Sequence, residues 1–253
     1  NPDIKAQRSV QVVAATEYNF KLWRRPFKFT AEVYYKYLDN LISYNVENVK
    51  IVYSALNDAK GYATGIDLKW SGEFIEGLES WIALSLMKTS ENIVNDSYYN
   101  SNNEEVKPGY LPRPTDQPFA VNLFFQDHFP GIPSFRIHLN FVFASGLPYS
   151  YPNGQRTYIN NHGREVALRT SMYKRVDVGF SYMFLEQTRD RMKHKNKALR
   201  TIKNMGLFFE VFNLLGTSNV SSYKWFSIVG GRQTAVPDYL TGRLFNLKFL
   251  IEI

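Results

Sequence analysis

The feature that most constrains this chain is an alternation of period two that recurs along its length and continues to its final residue. In Gly242–Ile253 the odd positions Phe245, Leu247, Phe249, Ile251 and Ile253 are apolar, while Asn246, Lys248 and Glu252 sit between them. Successive side chains on an extended backbone project to opposite faces, so this pattern makes a strand with one greasy and one wetted face. Phe27–Tyr37 repeats it: Phe27, Phe29, Ala31, Val33, Tyr35 and Tyr37 face one way, and Lys28, Thr30, Glu32 and Lys36, with Tyr34, the other. These residues reach roughly 36 Å at about 3.3 Å each, well beyond a common strand of about five or six residues.

The same reading predicts strands over 10–20, 61–74, 80–88, 119–125, 135–143, 176–184, 206–215 and 220–229. That makes about ten strands, with weaker strand character over 48–53, no helix and no linker dividing two domains. The expected fold is all-β, an antiparallel up-and-down sheet of the kind that forms transmembrane barrels. Residues 39–60, 90–116, 145–173 and 230–241 read as loops, and 186–203 as a strongly basic one.

Composition separates the settings in which such strands could live. Nineteen Phe, seventeen Tyr and four Trp exceed the needs of an ordinary soluble core, and suit interfacial girdles or stacking surfaces for a ligand. No run of 18 apolar residues occurs, which excludes a transmembrane helix but not a spanning strand of about ten alternating residues. There is no Cys, hence no disulfide and no thiolate metal site. The first residues, Asn1-Pro-Asp-Ile-Lys5, show neither Met nor a signal peptide. An exported protein would therefore be represented by a mature piece or an excised fragment.

Several segments, in order, resemble the barrel of TonB-dependent outer-membrane receptors, particularly those of Bacteroidetes type. Asn1–Ser9 is similar to the family's NP-x-L-K-P-E-x-S segment, with Gln7 in place of Glu. Tyr62–Asp67 resembles its G-v-E strand start, with Asp67 for Glu, and Leu111–Pro118 its proline-rich approach to a strand. Ser145–Tyr149 looks like its s-G-x-P-Y segment, Tyr173–Tyr182 its y-x-R-l-D pattern, and Phe212–Leu215 its N-L-F element. Gly242-Arg243 opens the last strand as the family does, although Ile253 replaces the family's usual terminal aromatic.

The resemblance implies that residues 1–253 are the C-terminal portion of a barrel of about 22 strands, with the plug domain absent. It implies ligand capture and uptake across the Gram-negative outer membrane, with outer-membrane lipid and lipopolysaccharide as surroundings. Coupling to the TonB complex would pass through the missing N-terminal region, and the family leaves room for a surface lipoprotein partner. Two other readings stand beside it: a soluble all-β glycan-binding module, and a small self-closed outer-membrane barrel. A partial barrel is expected to show unpaired edges at 10–20 and 243–253, whereas a small barrel would pair them.

No catalytic set, cofactor or metal site is expected, and no substrate-binding residue is assigned. His128, His138, His162 and His194 lack metal-ligand spacing, with His138 expected on a lumen-facing position. Asp67 and Asp177 have no obvious His partner, and neither Ser71-Gly72 nor Ser145-Gly146 forms a nucleophile elbow. The basic run of Arg189, Arg191, Lys193, Lys195, Lys197, Arg200 and Lys203 reads as an extracellular loop for anionic groups or as a solvated charged loop. Aromatics do not interleave with it, so nucleic-acid binding is not expected. Tyr44, Tyr53, Tyr98, Tyr99, Tyr110, Tyr149, Tyr151 and Tyr158 in the loops read either as ligand-stacking surfaces or as interfacial anchors. With the C-terminus in the periplasm, a ten-strand count puts 186–203 and 230–241 outside. It leaves 214–219 and the long segments 39–60, 90–116 and 145–173 in the periplasm, against the usual rule of short periplasmic turns.

Overall fold

The computed structural model describes residues 2–47, 50–94, 96–99, 103–151, 157–159, 165–186, 202–227 and 233–253. In chain order the strands are β1 (Arg8–Leu22), β2 (Arg25–Leu41), β3 (Tyr44–Glu47), β4 (Lys50–Tyr53), β5 (Ala59–Ile75) and β6 (Leu78–Ile93). Then come β7 (Tyr98–Tyr99), β8 (Glu105–Val106), β9 (Tyr110–Pro112), β10 (Phe119–Phe129), β11 (Ile132–Ala144) and β12 (Thr157–Ile159). The chain closes with β13 (Glu165–Ala167), β14 (Tyr173–Glu186), β15 (Asn204–Phe212), β16 (Val220–Ser227), β17 (Gln233–Tyr239) and β18 (Leu244–Glu252). No helix occurs among the described residues.

Nine of these strands form one continuous antiparallel sheet, β1-β2-β5-β6-β10-β11-β14-β15-β18, with β9 joined to the end of β6. β1 pairs on one side with β2 and β18 on one side with β15, so the sheet has two open edges at the expected places. The register aligns like with like. Tyr18, Phe29, Trp70, Ile82, Leu123, Phe141 and Val176 form one continuous row across seven strands. On the opposite face Gln126, His138, Gly179, Glu210 and Asn246 form another.

Burial is inverted relative to a water-soluble sandwich. The apolar face is open, with Val12 71% and Leu247 67% exposed, whereas the polar face shelters Ser71, Thr89, Glu91, Asp177 and Ser181. A surface of this size lined by exposed Val, Ile, Leu and Phe far exceeds what a soluble monomer tolerates, and it suits lipid. Two aromatic bands mark its limits. Tyr18, Phe20, Trp23, Phe27, Trp70 and Phe74 contact one another at one end, and Tyr35, Tyr62 and Tyr110 at the other.

The connections divide by end. Trp23-Arg24, Glu76-Gly77 and Pro130-Gly131 are two-residue turns at one end of the sheet. The connections spanning 42–58, 94–118, 145–172 and 213–243 all leave from the other end. Each carries its own two-stranded ribbon: β3-β4, β7-β8, β12-β13 and β16-β17.

This corrects the ten-strand count. The segment 220–229 is not a stave: β16 pairs with β17, inside the segment read as a 230–241 loop. With nine staves the parity reverses, and the long connections 39–60, 90–116 and 145–173 share one end with the whole 213–243 connection. The basic segment joins Glu186 to Asn204, which pair with each other at the two-residue-turn end. It therefore emerges opposite the long connections, not beside them. Residues 187–201, with most of the basic run and His194, lie outside the described residues.

Introducing a charge tests the face assignment directly. Leu123→Arg, on the apolar face of a central stave, is expected to cost about 2–4 kcal/mol in lipid bilayers, whereas Asn122→Arg on the polar face costs little. Reversible denaturation of the protein in phospholipid vesicles measures both.

Candidate functional site

The end bearing the four ribbons is the candidate site, and its chemistry starts from buried polar anchors at the rim. In the first connection the Asp58 carboxylate accepts from Ser43 N at 2.9 Å and Ser43 Oγ at 2.8 Å. Asn57 holds the start of the chain to this connection: it accepts from Lys5 N at 2.7 Å and donates to Lys5 O at 3.0 Å and Asn40 O at 2.7 Å. These residues carry Asp/Asn side chains because a short carboxylate or amide can satisfy loop N–H groups that have no ladder partner.

The second and third connections meet at Asp116. Its carboxylate accepts from Thr89 N on β6 at 2.6 Å and pairs with Arg169 of the third connection. The same guanidinium donates to Asp116 O at 2.7 Å and to Gly146 O at 3.2 Å. Gly146 has no room for a side chain, since a Cβ there would lie 1.9 Å from Thr170 O. Beside this knot Arg113 Nε donates to Glu91 Oε2 at 3.1 Å, and Glu91 is 1% exposed. A carboxylate buried so deeply needs such a partner.

The fourth connection is fixed by two asparagines. Asn219 Oδ1 accepts from Lys174 N, and its Nδ2 donates to Lys174 O, both at 2.9 Å. Asn213, with a left-handed φ of 50°, donates its N–H to Asp177 Oδ1 at 2.8 Å. Asp177 also accepts from Arg175 Nε at 2.7 Å and Asn140 Nδ2 at 3.2 Å. Asp177 is thus a structural acceptor, and Asp67 likewise bonds Ser85 Oγ. A groove of about 340 Å³ opens here beside Arg175, Phe212, Asn213, Asn219 and Leu244, with the Arg175 guanidinium 5.3 Å from the Phe212 ring centroid.

Above the anchors the connections present aromatic rings. Tyr149 and Tyr151 of the third connection meet Tyr223 and Trp225 of β16, with centroid separations of 4.8 Å for Tyr149–Tyr223 and 5.0 Å for Tyr151–Trp225. All four rings are partly exposed. The sequence singled out Tyr149 and Tyr151; it missed Tyr223 and Trp225, which were assigned to a stave. Tyr110 instead joins Tyr62 in the membrane-facing band, 5.5 Å between centroids, and serves as an anchor. Tyr44 and Tyr53 face each other across β3-β4 at 5.8 Å. Of Tyr98, Tyr99 and Tyr158 the side chains lie outside what is described.

His138 occupies the polar face as expected. Its ring lies over Gly179, where a Cβ would approach it to 2.0 Å, and Nε2 is 3.4 Å from Glu210 Oε1. No cluster of His, Cys, Asp or Glu suited to a metal occurs among the described residues. His162 lies outside them.

An antiparallel sheet with an exposed apolar face, a sheltered polar face, two-residue turns at one end and long connections at the other defines an outer-membrane β-barrel wall. The chain belongs to the family of TonB-dependent receptor-like β-barrels, whose model matches residues 1–214. Members are receptors and transporters of the Gram-negative outer membrane. Among solved structures, the chain is similar to the ferric-catecholate import receptor Fiu from E. coli K12, with 16% identity and a TM-score of 0.55 over 98% of this chain and 28% of that one. The siderophore receptor PiuA from Acinetobacter baumannii shows 13% identity and a TM-score of 0.56 over 95% and 28%. The FrpB iron transporter from Neisseria meningitidis shows 16% and 0.53 over 97% and 31%. The chain thus spans about a third or less of each of these structures. No curated protein matches.

Asp116→Ala is expected to leave the Arg169 guanidinium and the Thr89 N–H without their acceptor, a loss of about 3–5 kcal/mol for a largely buried pair. Limited proteolysis should then cut the third connection faster while the sheet resists heat-induced loss of its compact electrophoretic mobility. Equal cleavage of both proteins would show that Asp116 does not fix the rim.

Proposed function

We propose that this chain is part of the wall of a wider TonB-dependent receptor that captures a scarce organic ligand and passes it across the outer membrane. The observation that carries this is the segregation of connections: four ribbon-bearing connections at one end, two-residue turns at the other. Outer-membrane barrels place long connections outside and short turns in the periplasm, so the ribbons face the medium. The basic segment 187–203 then joins the periplasmic end, and the expected extracellular lipopolysaccharide contact is not assigned to it.

Capture falls to the Tyr149, Tyr151, Tyr223 and Trp225 cluster, which offers ring faces to a planar organic ligand. Iron chelates are the first class to test, because Fiu and PiuA are described as ferric-catecholate and siderophore receptors. The two open edges, β1 and β18, pair with further strands of the barrel, and energy coupling through TonB resides outside these residues. A surface lipoprotein over the ribbons is compatible with this arrangement.

Tyr151→Ala combined with Trp225→Ala should weaken capture about tenfold, an aromatic contact contributing about 0.5–1.5 kcal/mol beyond its buried area. Uptake of radiolabelled iron–catecholate complexes by cells expressing the whole receptor, deleted for other iron receptors, measures this. Full uptake by the double variant would remove the cluster from the route; no uptake by the unaltered receptor would exclude this ligand class.

A further inference from the structure

The aromatic band at the two-residue-turn end contains a shaped site on the outside of the wall. Tyr18 pairs across the ladder with Phe29 and Phe29 with Trp70, while Phe20 pairs with Phe27 one row nearer the turn. Tyr18, Phe20, Phe29 and Trp70 line an open cleft of about 310 Å³ with no polar surface. Phe27 closes its lower side. The Phe27 ring lies flat over Gly72, where a Cβ would sit 2.3 Å from it, and it meets Phe20 at 5.8 Å and Trp70 at 6.0 Å. In the next row, away from the turn, Thr16 faces Ala31, and beyond that Ala14 faces Val33. Large rings line this trough near the turn, and smaller side chains follow along β1 and β2 toward the middle of the sheet.

A cation lies in the turn at this end of the sheet. The β1-β2 turn is Trp23-Arg24, with left-handed φ values of 52° and 64°. A two-residue turn of this form favours Asn-Gly, and non-glycine residues held in that region are strained. The strain retains an exposed indole, 6.1 Å from the Phe27 centroid, and an exposed guanidinium. Neighbouring Arg25 is committed to Phe74 O. Arg24 makes no ion pair among the described residues.

We propose that this trough is a binding site for one anionic phospholipid, with an acyl chain along Thr16 and Ala31 among the rings and the phosphate at Arg24. A membrane-facing cleft is filled by a chain in any bilayer, and the unpaired guanidinium at headgroup height selects the negative charge. The site concerns the outer surface of the wall and does not depend on what the receptor transports. It rests on the sidedness proposed above only for its leaflet, the periplasmic one.

The test is native mass spectrometry of the whole receptor, delipidated in mild detergent and titrated with dioleoyl-phosphatidylglycerol or dioleoyl-phosphatidylethanolamine. The unaltered protein should hold phosphatidylglycerol about fivefold more tightly, the effect of one cation at a membrane surface. Replacing Trp23-Arg24 by Asn-Gly (W23N with R24G), which relaxes the turn and so keeps the fold, should abolish the preference. Trp70→Ala should weaken both lipids about tenfold through lost apolar burial. Equal retention of the two lipids by the unaltered protein, or an unchanged preference in the Asn-Gly variant, would overturn the proposal; so would unchanged binding by a folded Trp70→Ala.

Discussion

Every feature of this wall depends on the backbone ladder, because hydrocarbon offers no water to an unpaired N–H or C=O. Each such group left open in a bilayer costs several kcal/mol, so strands can cross only as a continuous hydrogen-bonded sheet. The ladder here runs without a break through nine staves, from β1 to β18. Its register shifts, near Leu38/Leu41, Gly72/Ile75, His128/Phe129 and Met183/Leu185, fall toward stave ends, where strand meets turn or connection. The ladder also sets the side-chain rows, since a slip of one residue would turn every Phe and Leu of a stave from lipid to lumen.

Fixed rows allow close cross-strand devices that a slack sheet could not keep. Three glycines lie directly opposite a ring: Gly72 under Phe27, Gly65 under Tyr34 and Gly179 under His138. In each case the ring covers backbone that a Cβ would displace, which restores apolar cover at a residue that otherwise weakens a strand. Two of the three devices, those of Tyr34 and His138, lie on the polar face, where Lys69 also stands 5.3 Å from the Trp81 ring and Lys248 5.3 Å from Phe208. The lumen side is therefore wet but not loose: lysines lean on rings, and Glu91, Asp177 and Glu210 have partners.

Much of this could be read from the chain itself, because a stave facing lipid must alternate strictly. Phe27–Tyr37 and the odd positions of Leu244–Glu252 announce their faces, and both open edges fell where the partial-barrel reading put them. The failure at 220–229 is equally physical. Tyr223 and Trp225 alternate with Lys224 as they would in a stave, and β16, at eight residues, is nearly as long as β15 or β18. Period two reports an extended backbone with unlike faces, not which sheet it joins. The signals that separate the cases were present but weak: Gly230-Gly231 suits a hairpin turn, and Pro237 argues against a central stave for its partner. The misplaced long segments in the periplasm were the stronger clue, since one stave too many inverts the side of every connection before it. The rim anchors were not legible at all. Nothing in the spacing of Thr89, Asp116 and Arg169 links them, because they meet only when two separate connections converge on the end of β6.

That convergence explains how the proposed capture surface can be precise while resting on long loops. Each connection is pinned at its base by a side chain that replaces missing ladder partners: Asp58, Asp116, Asn213 and Asn219 all accept backbone N–H groups. Above the pins, each connection folds back on itself as a ribbon that pairs part of its own backbone. A two-stranded ribbon is marginal alone, and the contacts between rings of different connections, Tyr149 with Tyr223 and Tyr151 with Trp225, add cohesion between the third and fourth. A ligand that entered between those rings would replace one set of aromatic contacts by another. The exchange would leave the pins and the ladder untouched.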